Sequence, residues 1–396
     1  MSARLRELDD VLSALPRGMA GQINDLLLSK SYLDGETESA GYPRVFQLET
    51  TNRCAMRCRH CPRTWLMTRA AADMDLALFK RTLAQVRAYA NHEAIYLMHF
   101  GEPSLYPRFG ESIRLAQARG LRVTISSAAS ALSDTAVREA VDSGLRELWL
   151  IFDGMDDETL RRIRGPGASF ARSIGQLRKL LNYRGQRGAC LPHVTAAMLK
   201  HPHNRHQWEL FRKHFSRVAG ISCRLMHFSS FAGDAPQLER FRRSLLDDAS
   251  EAREARRVAR LDRRVCFYPW QCVTILCDGR VVPCCRDVDG AYVLGDLRRQ
   301  SLLDIWNGEP LRRLRRAFLA GDRDNPLCRR CQEGSLGIGT PDNRMLRAAR
   351  ELCASGAPPK DGRGRMNRAY AVLWQSLPRP ARALLGARLS ERTPAE

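Results

Sequence analysis

The sequence predicts an α/β protein: an open, partial (β/α)6 parallel barrel followed by a small C-terminal cysteine-rich domain. Three observations carry this reading. Six short apolar segments alternate with helical stretches between residues 44 and 235. The thirteen cysteines are bunched, three at 54–61 and most of the rest between 266 and 331. Within the second bunch an Asp278-Gly279 pair separates two apolar runs, the signature of a tight hairpin.

Taken in chain order, residues 1–43 read as a helical extension, with Leu5, Leu8, Val11 and Leu12 at helical spacing. Segment 44–50 is the first strand and runs directly into the first cysteines. Helical stretches at about 75–90, 108–119, 134–143, 169–182 and 205–217 then separate strands at 94–99, 121–126, 147–152, 193–199 and 221–227. Right-handed connections roll such a series into a parallel sheet, and six units are too few to close an eight-stranded barrel. The core 44–235 is joined by a charged helical connector, 236–265, to a compact unit at 266–340. There 273–276 and 280–283 form the hairpin arms. The basic tail 341–396 holds one apolar helical segment at 369–377, for which packing on the protein is a better account than contact with a membrane surface or covering of the active site.

A chain of 396 residues, 44% hydrophobic and 27% charged, buries a core large enough for two or three domains. No apolar run approaches the roughly 18 residues that span a bilayer, and the acidic residues near the start argue against a signal peptide. The expected location is cytoplasmic. In a reducing compartment bunched cysteines point to metal or catalysis, not to disulfides. The net charge is +21, but only six of the 64 basic residues are lysine, and the arginines are scattered without interleaved aromatics. The charge reads as a solvated surface, and nucleic acid is disfavoured as a partner.

Cys54, Cys58 and Cys61 have the spacing C-x3-C-x2-C. Structural zinc takes four ligands, usually in C-x2-C pairs, and His60 is badly placed to share a metal with the adjacent Cys61. Three thiolates on one loop suit a cubane 4Fe–4S cluster with one iron lacking a protein ligand.

The run Glu49-Thr-Thr-Asn-Arg-Cys-Ala-Met-Arg-Cys-Arg-His-Cys-Pro62 resembles the signature loop of the radical S-adenosylmethionine (SAM) superfamily. His99-Phe-Gly-Glu-Pro103 is similar to that family's Gly-Glu-Pro motif, and Leu150-Ile-Phe-Asp-Gly154 with Arg161-Arg-Ile-Arg-Gly165 to its fourth-strand segment. The resemblance spans roughly 44–235. It implies that SAM chelates the open iron through its amino and carboxylate groups and is cleaved reductively to a 5′-deoxyadenosyl radical. It also implies that Gly101, Glu102 and Pro103 hold the methionine end and that an electron donor such as flavodoxin or ferredoxin is needed. Two departures stand out. Ser126-Ser-Ala-Ala129 replaces the family's Asn-Gly, and Phe152 replaces a Ser. Of these positions only Ser126 is carried forward, as a polar contact to SAM, with a strand-end cap as the alternative.

In the second bunch Cys266-x12-Gly279-x4-Cys284 and Cys328-Arg-Arg-Cys331 supply four thiols, a cage that spacing alone would also allow for zinc. Cys284-Cys-Arg-Asp287, Leu294-Gly-Asp-Leu297, Ser301-Leu-Leu-Asp-Ile-Trp-Asn307 and the final C-x2-C resemble the auxiliary-cluster domains of SPASM and twitch type. That resemblance implies an auxiliary 4Fe–4S cluster on Cys266, Cys284, Cys328 and Cys331, with Cys272 as an alternative to Cys266. Few cysteines follow Cys331, so one auxiliary cluster is expected instead of two. Its use would be to accept an electron during oxidation of substrate, bind substrate, or support the fold. Asp287 is the candidate catalytic base, with a turn-stabilising role as the alternative. His201-Pro-His-Asn-Arg-His206 reads as a helix cap.

The expected function is hydrogen abstraction from a carbohydrate-like small molecule or a peptide, ending in oxidation or another modification. The short stretch before the core tilts this toward a small molecule. An RNA-modifying radical enzyme and a non-catalytic iron–sulfur or zinc scaffold are the alternatives.

Overall fold

The computed structural model describes residues 3–87, 94–226, 266–329 and 331. The connector at 236–265 and the tail at 341–396 lie outside the described residues. Six strands, β1 (Val45–Leu48), β2 (Ile95–Tyr96), β3 (Val123–Ala128), β4 (Glu147–Ile151), β5 (His193–Leu199) and β6 (Ile221–Met226), stand side by side in chain order. Every neighbouring pair is parallel. Alternate residues, Ile95 and Leu97, Val123 and Ile125, Leu148 and Leu150, and Val194, Ala196 and Met198, pack into one large apolar core. The residues between them, Tyr96, Met98, Ser126, Trp149, Thr195 and Arg224, therefore belong to the opposite face. There the Arg224 guanidinium lies 5.4 Å from the Trp149 ring centroid.

The covering helices are α4 (Leu76–Leu83), α5 (Phe109–Gln117), α6 (Asp134–Asp142), α8 (Phe170–Gln186) and α9 (Trp208–Phe215), close to the predicted stretches. Asp75, Ser133 and Ser169 cap three of them by accepting backbone N–H groups of the first turn. Strand β2 is shorter than the 94–99 expected. Its ladder to β1 is the single Gln47–Tyr96 pair, while Glu49 N–H continues the other edge of β1 by donating to Ile275 O at 2.9 Å. Between β4 and α8 lies an unanticipated helix, α7 (Asp157–Arg164), and single turns α3 (Pro62–Trp65) and α10 (Tyr268–Gln271) follow Cys61 and Cys266.

The cysteine-rich unit departs most from expectation. Its hairpin, β7 (Cys272–Ile275) and β8 (Arg280–Val282), forms around Asp278-Gly279, with Gly279 at φ +93°. But β7 also pairs in parallel with β1, from Val45–Cys272 to Leu48–Ile275. With β9 (Gly295–Asp296) the result is one nine-stranded sheet in the order β6-β5-β4-β3-β2-β1-β7-β8-β9. The barrel strands and the cysteine-rich hairpin share a backbone ladder.

The N-terminal helices, α1 (Ala3–Ser13) and α2 (Arg17–Leu33), pack through Leu8, Leu12, Ile23 and Leu27 on Leu303 of α11 (Leu302–Trp306). Arg315 of α12 (Glu309–Leu319) is fully buried and closes this seam. It donates to Pro269 O at 2.9 and 3.0 Å, Thr37 O at 2.8 Å and Asn307 Oδ1 at 2.9 Å. It also stacks 4.7 Å from the Trp306 ring centroid. No helix among the described residues is long and apolar enough to cross a membrane.

Candidate functional site

The first three cysteines lie on the loop that leaves the C-terminal end of β1, the end at which α/β folds place their chemistry. The loop is stitched to the end of α7. Arg57 N–H donates to Arg164 O at 3.0 Å and Arg59 N–H to Ile163 O at 2.9 Å, satisfying carbonyls that a helix end leaves open. Cys54, Cys58 and Cys61 gather in a small apolar patch with Met56, Ala128, Leu160 and Ala168. Burial disfavours the thiolates. It pushes Cys58 up to about 12 and Cys61 to about 11, and raises Cys54 as well.

Two cations, Arg164 and Arg63, act on these thiols, and Arg164 is the one held against Cys58. Arg164 Nη1 is 3.8 Å from Cys58 Sγ, and its guanidinium is bound to fully buried Asp153 at 2.7 and 2.8 Å. Asp153 also accepts Leu199 N–H at 2.7 Å, which ties the pair to the end of β5. Sequence reasoning placed Asp153 and Arg164 in matching motifs without seeing that they meet.

The Gly-Glu-Pro segment abuts the root of the cysteine loop. A Cβ on Gly101 would fall 1.9 Å from Thr51 O, so only glycine permits this approach. Glu102 N–H donates to Arg53 O at 2.7 Å. The buried Glu102 carboxylate accepts Ser127 Oγ at 2.6 Å, Ser104 Oγ at 2.7 Å and Ala128 N–H at 2.9 Å. It thereby clamps the end of β3 to the 3-10 turn Pro103–Leu105. Ser126, half-buried, lies on the open face, and its N–H is 3.0 Å from Met98 Sδ. Ser127, not anticipated, is the β3 serine that touches Glu102.

In the C-terminal unit Cys266, Cys284, Cys328 and Cys331 line a single pocket, together with Tyr268, Pro283 and Arg286. Three separate segments thus converge. Burial pushes Cys266 up to about 12 and Cys328 to about 11, and raises Cys284 strongly. Cys272 is not among the lining residues. Asp287 is buried and committed to the turn, accepting Ala291 N–H at 2.7 Å and Tyr292 N–H at 2.9 Å. Both carboxylate oxygens accept amides of the turn, as the turn-stabilising reading expects. Six thiols that burial disfavours as thiolates, Cys54, Cys58, Cys61, Cys266, Cys284 and Cys328, suit metal clusters, since binding exchanges each proton for a cation. Among the described residues no three His, Cys, Asp or Glu side chains close around a single-metal position. In a cubane each thiolate instead sits on its own iron.

A buried network joins the two regions. The carboxylate of Glu49 accepts both Nη groups of Arg69 at 2.7 and 2.8 Å and Cys277 N–H at 3.1 Å. His99 bridges Glu49 Oε1 at 3.2 Å and Cys285 O at 3.0 Å. Elsewhere, His201 forms the anticipated cap, its Nδ1 accepting His203 N–H at 3.1 Å.

Comparison with known proteins agrees with this geometry. Residues 48–213 match the radical SAM superfamily, and residues 266–332 match the SPASM iron–sulfur cluster-binding domain. A tungsten-containing aldehyde ferredoxin oxidoreductase cofactor-modifying protein of Pyrococcus furiosus is 24% identical over 73% of this chain and 87% of its own length. A PqqA peptide cyclase of Gluconobacter oxydans is 25% identical over 73% of this chain and 83% of its own. Among solved structures, anSMEcpe with bound AdoMet and Cp18Cys peptide superposes with a TM-score of 0.51 at 11% identity, covering 70% of this chain and 84% of that one. SuiB of Streptococcus suis, bound to the precursor peptide SuiA, gives 0.50 at 14% identity, covering 68% and 66%.

The chain belongs to the radical SAM superfamily, with a SPASM-type iron–sulfur domain following its core. It is a radical SAM enzyme whose two domains imply a 4Fe–4S cluster with SAM and auxiliary iron–sulfur binding.

Proposed function

We propose that Cys54, Cys58 and Cys61 hold three irons of the catalytic cluster and that Cys266, Cys284, Cys328 and Cys331 hold the auxiliary one. On this reading the enzyme oxidises or crosslinks a peptide. The observation that carries the cluster assignment is the convergence of four cysteines from three segments on one pocket, while three others share one loop beside the Gly-Glu-Pro segment. The peptide reading is supported by the PqqA peptide cyclase, most of whose length this chain spans. It takes the place of the small molecule favoured by the sequence alone.

When bound, SAM and the first cluster supply a radical able to take a hydrogen atom, and the auxiliary cluster supplies an electron acceptor. The chain's own residues prepare the site. Arg164 sets a positive charge against Cys58, offsetting part of the negative charge of a thiolate set, while Asp153 fixes its direction. Glu102 holds Ser127 and Ala128 against the 3-10 turn, so the face that would receive SAM is set before it arrives. The half-buried Ser126 offers a hydroxyl there. Apolar neighbours, Met56, Leu160 and Ala168 among them, bury the Cys58 side of the loop. The net charge of +21 favours docking of an acidic ferredoxin or flavodoxin as electron donor.

The test is anaerobic purification with iron and sulfide analysis, then reduction in the presence of SAM. About eight irons per chain and release of 5′-deoxyadenosine are expected. Substoichiometric iron with bound zinc, or a cubane signal that SAM leaves unchanged, would overturn the assignment. Precursor peptides encoded nearby, screened for a loss of two mass units, test the substrate class.

A further inference from the structure

We propose that His99 is a positioning residue, locked as an imidazolium between the core and the loop of Cys284 and Cys285, and that its charge raises the reduction potential of the auxiliary cluster. This rests on the ligand set proposed above.

His99 follows β2 and is 1% exposed, and its partner Glu49 is completely buried. The protonation state follows from what each partner can do. Cys285 O is a carbonyl and only accepts, so Nε2, 3.0 Å away, carries a hydrogen. On the other side is the carboxylate of Glu49. Burial alone would push it toward neutrality, but hydrogen bonds from His99 and Arg69 bring it well below the usual carboxylate range. An ionised carboxylate also only accepts, so Nδ1, at 3.2 Å, carries a hydrogen too. An imidazole with two N–H groups is a cation.

The buried charges are one negative on Glu49 against one positive each on Arg69 and His99; Asp278, which also acts on Arg69, is partly exposed and paired with Arg280 at 2.8 Å. The Cys277 thiol beside them stays neutral, pushed up to about 12 chiefly by burial. Asp289 accepts Thr68 N–H at 2.8 Å and Arg69 N–H at 3.1 Å from a partly exposed position, where water screens it. One uncompensated positive charge is left in a dry interior, hydrogen-bonded to the peptide next to Cys284. Electrons arriving at a cluster there are stabilised by it, and burial keeps the effect from being screened.

The experiment is an EPR-monitored redox titration of the reconstituted full chain, following the cluster signal that SAM does not perturb. In H99Q the amide can still donate to Cys285 O, but the charge is gone. The equilibrium constant for reducing the auxiliary cluster should fall about tenfold, a shift of about 59 mV downward for one electron. H99K, which keeps the charge, should hold the wild-type value. An unchanged potential in H99Q with full iron content overturns the proposal. Loss of the second cluster from H99Q also overturns it, since His99 would then serve assembly and not potential. Failure of the wild-type protein to hold a second cluster is a separate outcome that overturns the ligand set instead.

Discussion

Replacing Gly101 with alanine tests the contact on which the first site is built. The added Cβ would lie 1.9 Å from Thr51 O, 2.7 Å from Thr51 C and 2.9 Å from Asn52 Cα. All three are backbone atoms, so no side-chain rotation relieves the clash. Ordinary contact needs about 3.3 Å or more, so the Gly-Glu-Pro segment and the cysteine loop must move apart by over an ångström. Such a movement breaks the 2.7 Å bond from Glu102 N–H to Arg53 O. Overpacking costs about 1–3 kcal/mol and the lost buried hydrogen bond about 1 kcal/mol. Together they predict a destabilisation of about 2–4 kcal/mol, a fall in Tm of several degrees. Displacing the SAM-facing edge by an ångström should slow SAM cleavage about 100-fold. Calorimetry and 5′-deoxyadenosine release, both under anaerobic conditions, read the two effects. Helical Gly175, with no atom within 4 Å of its would-be Cβ, is the control, and G175A should be neutral or slightly stabilising. If G101A melts with the wild type and cleaves SAM at the wild-type rate, the steric argument is wrong.

Three further outcomes are expected. C58A should lose SAM cleavage and about half the iron, whereas C284A should lose a similar share of iron yet still cleave SAM when reduced; cleavage retained in C58A would contradict the assignment. In iron-free protein Cys58, pushed up to about 12, is protonated at pH 8, so its alkylation should be slow there. Its rate should climb about tenfold per pH unit toward pH 11, as followed by mass spectrometry; brisk labelling at pH 7 would show that the thiol is not buried. R315A removes a guanidinium bound to Pro269, Thr37 and Asn307. It should cost about 3 kcal/mol and open the N-terminal helices to trypsin, and an unshifted urea midpoint would count against that role.

Local chemistry was readable from the chain, and tertiary encounters were not. The spacing of Cys54, Cys58 and Cys61 marks one loop because the ligands are near in sequence. The Asp278-Gly279 turn is equally local, and so are the strands, whose apolar alternation reaches the core face as expected. Helix α7 was missed because only Leu160 and Ile163 of its eight residues are apolar. Its termini were legible all the same, in the Asp156 cap, the acidic first turn, the basic last turn and Gly165 at φ +92°. The Arg164–Asp153 pair, the Glu49–Arg69–His99 network and the β1–β7 ladder depend on segments far apart in the chain, and no periodicity announces them. Asp287 was singled out by its place beside two cysteines. The structure uses that same closeness to pin the turn.

The ladder between β1 and β7 also limits how this protein can be taken apart. A chain cut at residue 265 would bare the edge of β1 along four paired positions, inviting pairing with another molecule. Modular exchange of the C-terminal unit among relatives would have to preserve that seam. Strain at either cluster would also be felt at the other through a continuous, stiff ribbon of peptide groups.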